Sequence, residues 1–157
     1  EVVIGQYKHY ALSGGPITKG GVFPFNENKV YSGRDFLLNS HIMLVCNKIY
    51  KSDLIKQYPF PTTWFEDVAW SPVIMSYAKK ISYIPRSFYH YIRREGTIAS
   101  SHDNLRTLEG ISSIKYALSN CNPDEKDAVA YMAIKRLFFE ARVRSGYADH
   151  YMNAFFE

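Results

Sequence analysis

The sequence predicts an α/β (or α+β) fold: a mixed sheet with short helices, closed by a C-terminal helical pair. Segments rich in β-branched and aromatic residues dominate residues 1–101, as strands favour. Residues 102–157 instead place apolar side chains at helical spacing. The chain of 157 residues has the length of about one domain. Within it, we expect a strand-rich part up to residue 101 and a helical extension after it.

The N-terminal quarter predicts one strand, a loop and a short helix. EVVIGQYKHYAL is β-branched and aromatic and predicts the opening strand. The next segment, SGGPITKGG, is rich in Gly and Pro, and this composition predicts a loop. A second extended patch is expected around residues 22–25. Ser32 then has the side chain of an N-cap for the short helix GRDFLLNSH.

The middle of the chain begins with two short elements. MLVCNKIY is apolar enough for a buried strand or a buried turn, and its type stays open. Ser52 or Asp53 is the expected start of another short helix, DLIKQY, since both residue types cap helices well.

A longer helix is predicted from Asp67 to about Lys79. Pro72 lies inside this window, and proline removes a backbone donor from a helix interior. Two outcomes are therefore expected: a distorted first turn, or a regular helix that starts near Ser71. In the second case Pro72 occupies an early position, where proline is tolerated.

Two strands are predicted next, KKISYIP and SFYHYIRR, separated by Pro85. Side chains alternate between the two faces of a strand. In the second strand, one face would carry Phe88, His90 and Ile92, and the other Tyr89, Tyr91 and Arg93.

The last third of the chain predicts a helical pair. Helical spacing relates the apolar residues of the first helix, which are Leu105, Leu108, Ile111, Ile114 and Leu118. Asn122, Pro123 and Glu125 combine a cap, a first-position proline and a capping-box acid. The second helix should follow them and run to about Arg144, with Gly146 as its stop.

Composition excludes several function classes. With 46% hydrophobic and 22% charged residues, the chain is globular and not disordered. The net charge of +4 favours an anionic partner, but scattered basic residues argue against nucleic acid. Cys46 and Cys121 have neither metal-ligand spacing nor a disulfide framework, so a reducing, cytoplasmic location is expected. No apolar run reaches the roughly 18 residues of a membrane-spanning helix.

The stretch TTWFEDVAWSP places an acidic pair, Glu66 and Asp67, beside two aromatic residues. One interpretation is a helix start, because carboxylates are favoured near the positive end of the helix dipole. Read alone, Trp64 is similarly a core residue. The other interpretation is a functional carboxylate beside an aromatic platform for a sugar.

Three segments in a fixed order resemble the acceptor-side half of family 2 glycosyltransferases of the GT-A type, as found in bacterial polysaccharide biosynthesis. They are CNKIYKSDLI, FPTTWFEDVAW and AKKISYIPRSFYHYIRREGTI. The matching positions are Asn47, Lys48, Ile49 and Tyr50, then Glu66 and Asp67, then Lys80, Ile81, Tyr83 and Ile84, and lastly Tyr89, Tyr91, Arg94 and Ile98. The resemblance covers about residues 1–101.

The chain departs from the family pattern in two ways. Thr97 stands where the family usually has Ser, which keeps the hydroxyl. The family's nucleotide-binding first half, with its Pro-x-Tyr-Asn and Asp-x-Asp segments, does not occur in these residues. EVVIGQY resembles the strand after that acid motif. The resemblance therefore implies a C-terminal fragment of a longer enzyme, inactive by itself.

The resemblance implies an inverting transfer of a sugar from a nucleotide-sugar donor to a glycan or lipid-linked acceptor. Asp67 matches the second acid of the family's pair and would be the general base. Glu66, Trp64 and Lys48 would bind or orient the acceptor, Trp64 by stacking on a sugar face.

The donor's leaving diphosphate is expected to face Arg94 and Arg93, since guanidinium groups form paired hydrogen bonds with phosphate oxygens. The resemblance implies a divalent metal, Mg²⁺ or Mn²⁺, held in the complete enzyme mainly by the missing Asp-x-Asp. His102 is a candidate to approach that metal, and no metal is expected in this fragment itself.

Alternatives to an enzyme stay open at this point. A non-enzymatic module would use the aromatic and basic surface to hold a glycan or a partner protein. Peripheral contact with the inner face of a membrane is also open, through C-terminal residues that pair cations with aromatics: Lys135, Arg136, Arg142 and Arg144 beside Phe138 and Phe139. The competing interpretation is that these helices pack as a cap on the core. The oligomeric state is left open.

Overall fold

The structure is a computed structural model that describes residues 1–19, 23–40, 43–94, 96–98 and 104–156. It confirms the predicted class, a mixed α/β fold with a five-stranded mixed sheet and α-helices around it. His102 and Gly20, Gly21 and Val22, on which sequence predictions fall, lie outside the described residues.

The sheet consists of β1 (Val2–Ala11), β2 (Pro16–Lys19), β3 (Val30–Tyr31), β4 (Lys48–Tyr50) and β5 (Ile81–Arg93). Its order is β2-β1-β5-β3, with β4 paired to the first half of β1. The central pair β1–β5 is parallel, and β2, β3 and β4 all pair antiparallel with their neighbours. The long parallel pair is thus the frame on which the short strands are added.

Six α-helices lie in the described part of the chain. They are α1 (Gly33–Asn39), α2 (Ser52–Ile55), α3 (Glu66–Tyr77), α4 (Glu109–Asn120), α5 (Lys126–Val143) and α6 (Ala148–Phe156). A 3-10 turn precedes each of α4, α5 and α6. The expected helical pair is α4 and α5, and α6 is a further helix that the sequence analysis did not predict.

The predicted cap residues are confirmed at two helices, but Glu125 forms no capping box and pairs with Arg34 instead. The Ser32 side chain accepts from the Asp35 N–H, and the Asp35 carboxylate accepts from the Ser32 N–H, a complete capping box on α1. The Asn122 side chain accepts from the Asp124 N–H at the turn that leads into α5. Such contacts join a polar side chain to a backbone group two or three residues away, so they can be predicted from the sequence.

The predicted loop SGGPITKGG is wrong in part, because Pro16–Lys19 is a strand paired with β1. The hairpin closes through a turn in which Gly14 has φ +89°, a conformation that glycine adopts without strain. The Ala11 N–H donates to the Gly15 carbonyl at 2.8 Å, which sets the register. The Gly-rich turn was recognised, but the strand after it was not.

The two strands predicted around Pro85 are one strand, β5. Its register against β1 jumps from Gly5↔Ile84 to Gln6↔Ser87, so Pro85 lies in a bulge. Proline is tolerated there because a bulged residue needs no ladder hydrogen bond. Residues 23–25, expected to be extended, form no strand.

The expectation that a regular helix starts near Ser71 is wrong, because α3 is helical from Glu66 onwards and Pro72 lies in its interior. The expected distortion of the first turn stays a prediction. An interior proline costs about 3 kcal/mol in an isolated helix. Every residue from Val68 to Ser76 is buried, so tertiary packing offsets this cost.

The C-terminal helices pack on the first part of the chain. Helix α4 contacts α3, and α5 contacts α1. One core cluster joins both parts, with members such as Ile4, Phe36, Met75, Ala117 and Met132. Across the described residues, no helix combines the length and apolar character needed to cross a bilayer.

Candidate functional site

The acidic pair lies where α3 begins, after an unusual backbone conformation. Phe65 has φ +62° and ψ +41°, the left-handed region that non-glycine residues rarely adopt. Its carbonyl accepts from the Val68 N–H at 2.9 Å and the Ala69 N–H at 3.1 Å. This sharp entry turns the chain directly into the helix and places Glu66 and Asp67 in its first turn.

Packing from the C-terminal helices holds Phe65 in this conformation. Its ring is buried in a cluster with Ile114, Leu137 and Tyr151. The guanidinium of Arg144 lies 5.2 Å from the ring centroid. A left-handed non-glycine residue costs about 1–3 kcal/mol and persists only where surrounding structure enforces it. The position of the acidic pair is therefore fixed from two sides, by α3 and by the helices that cover Phe65.

Glu66 and Asp67 open onto a cavity of about 750 Å³. Both residues are half-buried. Four parts of the chain form its wall: the segment before β4, the start of α3, β5 with the turn after it, and α5. The described lining residues are Leu44, Val45, Cys46, Phe65, Glu66, Asp67, Tyr89, Tyr91, Gly96, Thr97, Ile98, Arg136, Phe139, Glu140, Val143 and Arg144. This volume falls in the range of small-molecule sites, roughly 300–1,000 Å³.

Asp67 keeps part of its carboxylate available. Its Oδ1 accepts from the Val68 N–H at 2.8 Å, the only hydrogen bond of this carboxylate among the described residues. Oδ2 is left for a ligand. A carboxylate oxygen without a partner can accept a proton or a hydroxyl hydrogen, which suits this group to contact a ligand hydroxyl.

Three further titratable side chains line the cavity near Asp67. Burial raises the pKa of the Cys46 thiol. Burial, followed by the charge of Asp67, raises the pKa of Tyr91. Cys46, once it is ionised at high pH, raises the pKa of Tyr89. At neutral pH all three groups are therefore protonated donors, of the kind that hold ligand oxygens.

Lys48 is buried behind the cavity and does not line it. Its Nζ donates to the Leu44 carbonyl and, at 3.1 Å, to Asn47 Oδ1. Burial lowers the pKa of Lys48 to about 7, against opposing contributions from Cys46 and Asp67. This placement supports the loop before β4, and it does not favour a contact between Lys48 and an acceptor.

Trp64 is in contact with α4 and with the turn before it. Arg106 covers the indole ring, with its guanidinium 4.4 Å from the ring centroid. The Trp64 N–H donates to Glu109 Oε2 at 2.9 Å, and its carbonyl accepts from Ser113 Oγ at 3.1 Å. A sugar that stacked on this face would have to displace Arg106, so the geometry does not favour the platform role.

Arg93 and Arg94 are exposed at the end of β5 and are not among the described lining residues. Arg93 Nε donates to His9 Nδ1 at 3.3 Å. The Arg94 carbonyl accepts from Thr97 Oγ1 at 3.3 Å. Their predicted contact with a diphosphate stays a prediction, as does the role of His102, which lies outside the described residues.

The cavity instead presents two arginines that were not predicted to line it, Arg136 of α5 and Arg144, the residue that caps the end of α5. Glu140 lies between them and is paired with both. The three residues are spaced by four, which puts them on one face of a helix. That signal was present in the sequence, but it does not say which way the face points.

The divalent metal that the family resemblance implies stays a prediction, since its main ligands are expected in the missing Asp-x-Asp. No group of three or more His, Cys, Asp or Glu side chains among the described residues is placed to hold a metal ion. Comparison of the chain with protein-family models, with curated proteins and with solved structures finds no match. The glycosyltransferase resemblance therefore rests on the sequence motifs alone.

Proposed function

We propose that this chain is the acceptor-side part of an inverting glycosyltransferase, with Asp67 as the general base. One observation carries the proposal. The aspartate of the family-like Glu-Asp pair is held on the wall of a cavity of about 750 Å³, with one carboxylate oxygen free of hydrogen bonds to described residues. The resemblance implies a nucleotide-binding half upstream, without which these residues are not expected to catalyse.

In the proposed reaction, Asp67 takes the proton of an acceptor hydroxyl as its oxygen attacks the anomeric carbon of the donor sugar. The new C–O bond forms on the face opposite the leaving group, and the bond to the nucleotide diphosphate breaks. The departing diphosphate keeps the electron pair. Asp67 needs only to lie within hydrogen-bond reach of the attacking oxygen.

The surroundings of Asp67 support acceptor binding at this position. Tyr89 and Tyr91 line the cavity, and tyrosine rings combine apolar faces with a hydroxyl that hydrogen-bonds sugar oxygens. The strained entry at Phe65 fixes the carboxylate relative to these rings. Positioning of this kind makes a large contribution to catalysis, because the reacting atoms must approach to about 3–3.5 Å.

We propose a cytoplasmic location at the inner face of the membrane for this reaction. Both cysteines, Cys46 and Cys121, are free thiols, which a reducing compartment favours. Exposed aromatic residues on α5 and α6, Phe138, Phe139 and Phe156, are suited to a peripheral contact.

The test uses the complete protein that contains these residues and a panel of nucleotide-sugar donors. Replacing Asp67 by Asn keeps the size and removes the base, and should lower kcat by at least about 100-fold, since general-base catalysis contributes about 10²–10⁴. Asp53→Asn is the control, because Asp53 is exposed and outside the cavity.

Near-normal turnover in the Asp67→Asn protein would contradict the assignment. Glycan binding without turnover of any donor would indicate the alternative, a non-enzymatic module that binds glycans.

A further inference from the structure

A cluster of three charged residues on α5 and its C-terminal cap forms part of the cavity wall. Arg136, Glu140 and the cap residue Arg144 follow one another at four-residue intervals, so their side chains are neighbours. Arg136 Nη2 pairs with Glu140 Oε1, and Arg144 Nη1 donates to Glu140 Oε2. One carboxylate is therefore shared between two guanidinium groups.

The three residues together carry a net charge of +1 at a poorly solvated position. The exposed side-chain fractions are 22% for Arg136, 3% for Glu140 and 4% for Arg144. Arginine stays protonated in proteins, so two positive charges face one negative charge. The buried Nε of Arg144 also has no hydrogen-bond partner among the described residues. Buried charges and donors are normally paired, so the cluster favours an incoming anion.

The same cavity carries negative charge on another element. Glu66 and Asp67 belong to α3, whereas Arg136 and Arg144 lie on α5 and at its C-terminal cap, and all four residues line the cavity. An anionic group is repelled by the α3 carboxylates and attracted by the α5 guanidiniums. A ligand with an acidic group and several hydroxyls would therefore be oriented, with its acidic group at α5 and its hydroxyls at α3.

We propose that the cavity binds an acidic saccharide. Arg136 holds its carboxylate or phosphate oxygens, and the positive charge of Arg144 also attracts them. Arg136 makes the contact because its guanidinium is partly exposed, and its planar fork matches an oxyanion. That the saccharide is the acceptor rests on the proposed function. The oxyanion site itself does not require any transfer reaction.

The test is an NMR titration of the chain with four probes: glucuronic acid, glucose 6-phosphate, inorganic phosphate and glucose. At least one acidic sugar should bind 10-fold or more tightly than glucose, and the stronger one identifies carboxylate or phosphate as the preferred group. If inorganic phosphate binds as tightly as either acidic sugar, the saccharide part of the proposal is overturned.

Variants then locate the contact. Arg136→Gln should weaken binding of the preferred acidic sugar at least 10-fold, while Arg136→Lys, which keeps the charge but not the fork, should weaken it less. Arg142→Gln is the matched control on the same helix, because Arg142 is exposed and not among the described lining residues. Its affinity should equal that of the unmodified chain. If Arg136→Gln does not fold, as thermal unfolding would reveal, the weaker binding expected of Arg136→Lys tests the contact instead.

Failure of this inference differs from failure of the proposed function. Equal binding of glucose and both acidic sugars, unchanged in the Arg136 variants, would overturn the oxyanion site and leave a transferase with a neutral acceptor. Arg136-dependent binding of an acidic sugar, with no transfer by the complete protein, would overturn the transferase and leave the oxyanion site.

Discussion

Two pairs of arginines occupy contrasting regions of the molecule, the end of β5 and the last turns of α5. Arg93 and Arg94 are exposed, and Arg93 donates to a neighbouring histidine. Arg136 and Arg144 line the cavity and share the buried Glu140. The sequence motif drew attention to the first pair, whereas the fold brings the second pair to the cavity.

The difference shows that the surroundings of a charged side chain determine how much it contributes to stability. Between exposed groups, an ion pair is worth about 0–1 kcal/mol because water screens it. When a buried pair loses one partner, the remaining charge is uncompensated and the cost is several times larger. The two regions should therefore respond very differently to the same substitution.

The largest expected effect comes from removing the shared carboxylate. Glu140→Ala leaves two poorly solvated guanidiniums without a counter-charge, and should lower the free energy of unfolding by about 3–5 kcal/mol. Urea denaturation measures this directly. Asp149→Ala, an exposed acid on α6, is the control and should stay within about 0.5 kcal/mol. A loss below about 1 kcal/mol in Glu140→Ala would mean that the two regions do not differ as argued.

A matched pair of substitutions compares the two regions directly. Arg144→Met should lower the free energy of unfolding by about 2 kcal/mol, because it removes one partner of Glu140 and the cation–π contact with Phe65. Arg94→Met should change it by less than about 0.5 kcal/mol. Both are measured in the same urea experiment, and similar losses in the two variants would remove the distinction between the regions.

The sequence predicted those features that depend on contacts between residues close together in the chain. The cap at Ser32 and the acidic start of α3 follow from groups within a few residues of each other. Prediction failed where long-range packing decides, as at Pro72, which the surrounding core keeps helical, and at Pro16, which pairs with β1. Local propensity is a weak prior against such packing.

The sequence likewise predicted only the part of the site that belongs to one short motif. Glu66 and Asp67 belong to one motif, and the structure places both on the cavity. Arg136 and Arg144 come from a helix some 70 residues further along the chain, and nothing in their local sequence says that this helix covers Phe65. Trp64 illustrates the opposite case, since an aromatic suited to a sugar is covered by Arg106.

The smallest of these effects extends the comparison to a buried lysine, Lys48. Arginine keeps its proton when buried, whereas lysine releases it more readily. Burial lowers the pKa of Lys48 to about 7 in the folded chain, against about 10.4 in the unfolded chain. The unfolded state thus binds more protons between these values, so stability rises with pH from about 7 to about 10.

Raising the pH from 7 to 8 should accordingly increase the contribution of Lys48 to the free energy of unfolding by about 1 kcal/mol. Urea denaturation at both pH values measures it, in the unmodified chain and in Lys48→Met, which removes the titrating group at similar volume. The increase should be smaller in Lys48→Met by that amount, because every other titrating group is shared. Lys51→Met, at an exposed lysine, should keep the full increase. An identical pH response in Lys48→Met and the unmodified chain would mean that Lys48 stays charged at pH 8, as a buried arginine does.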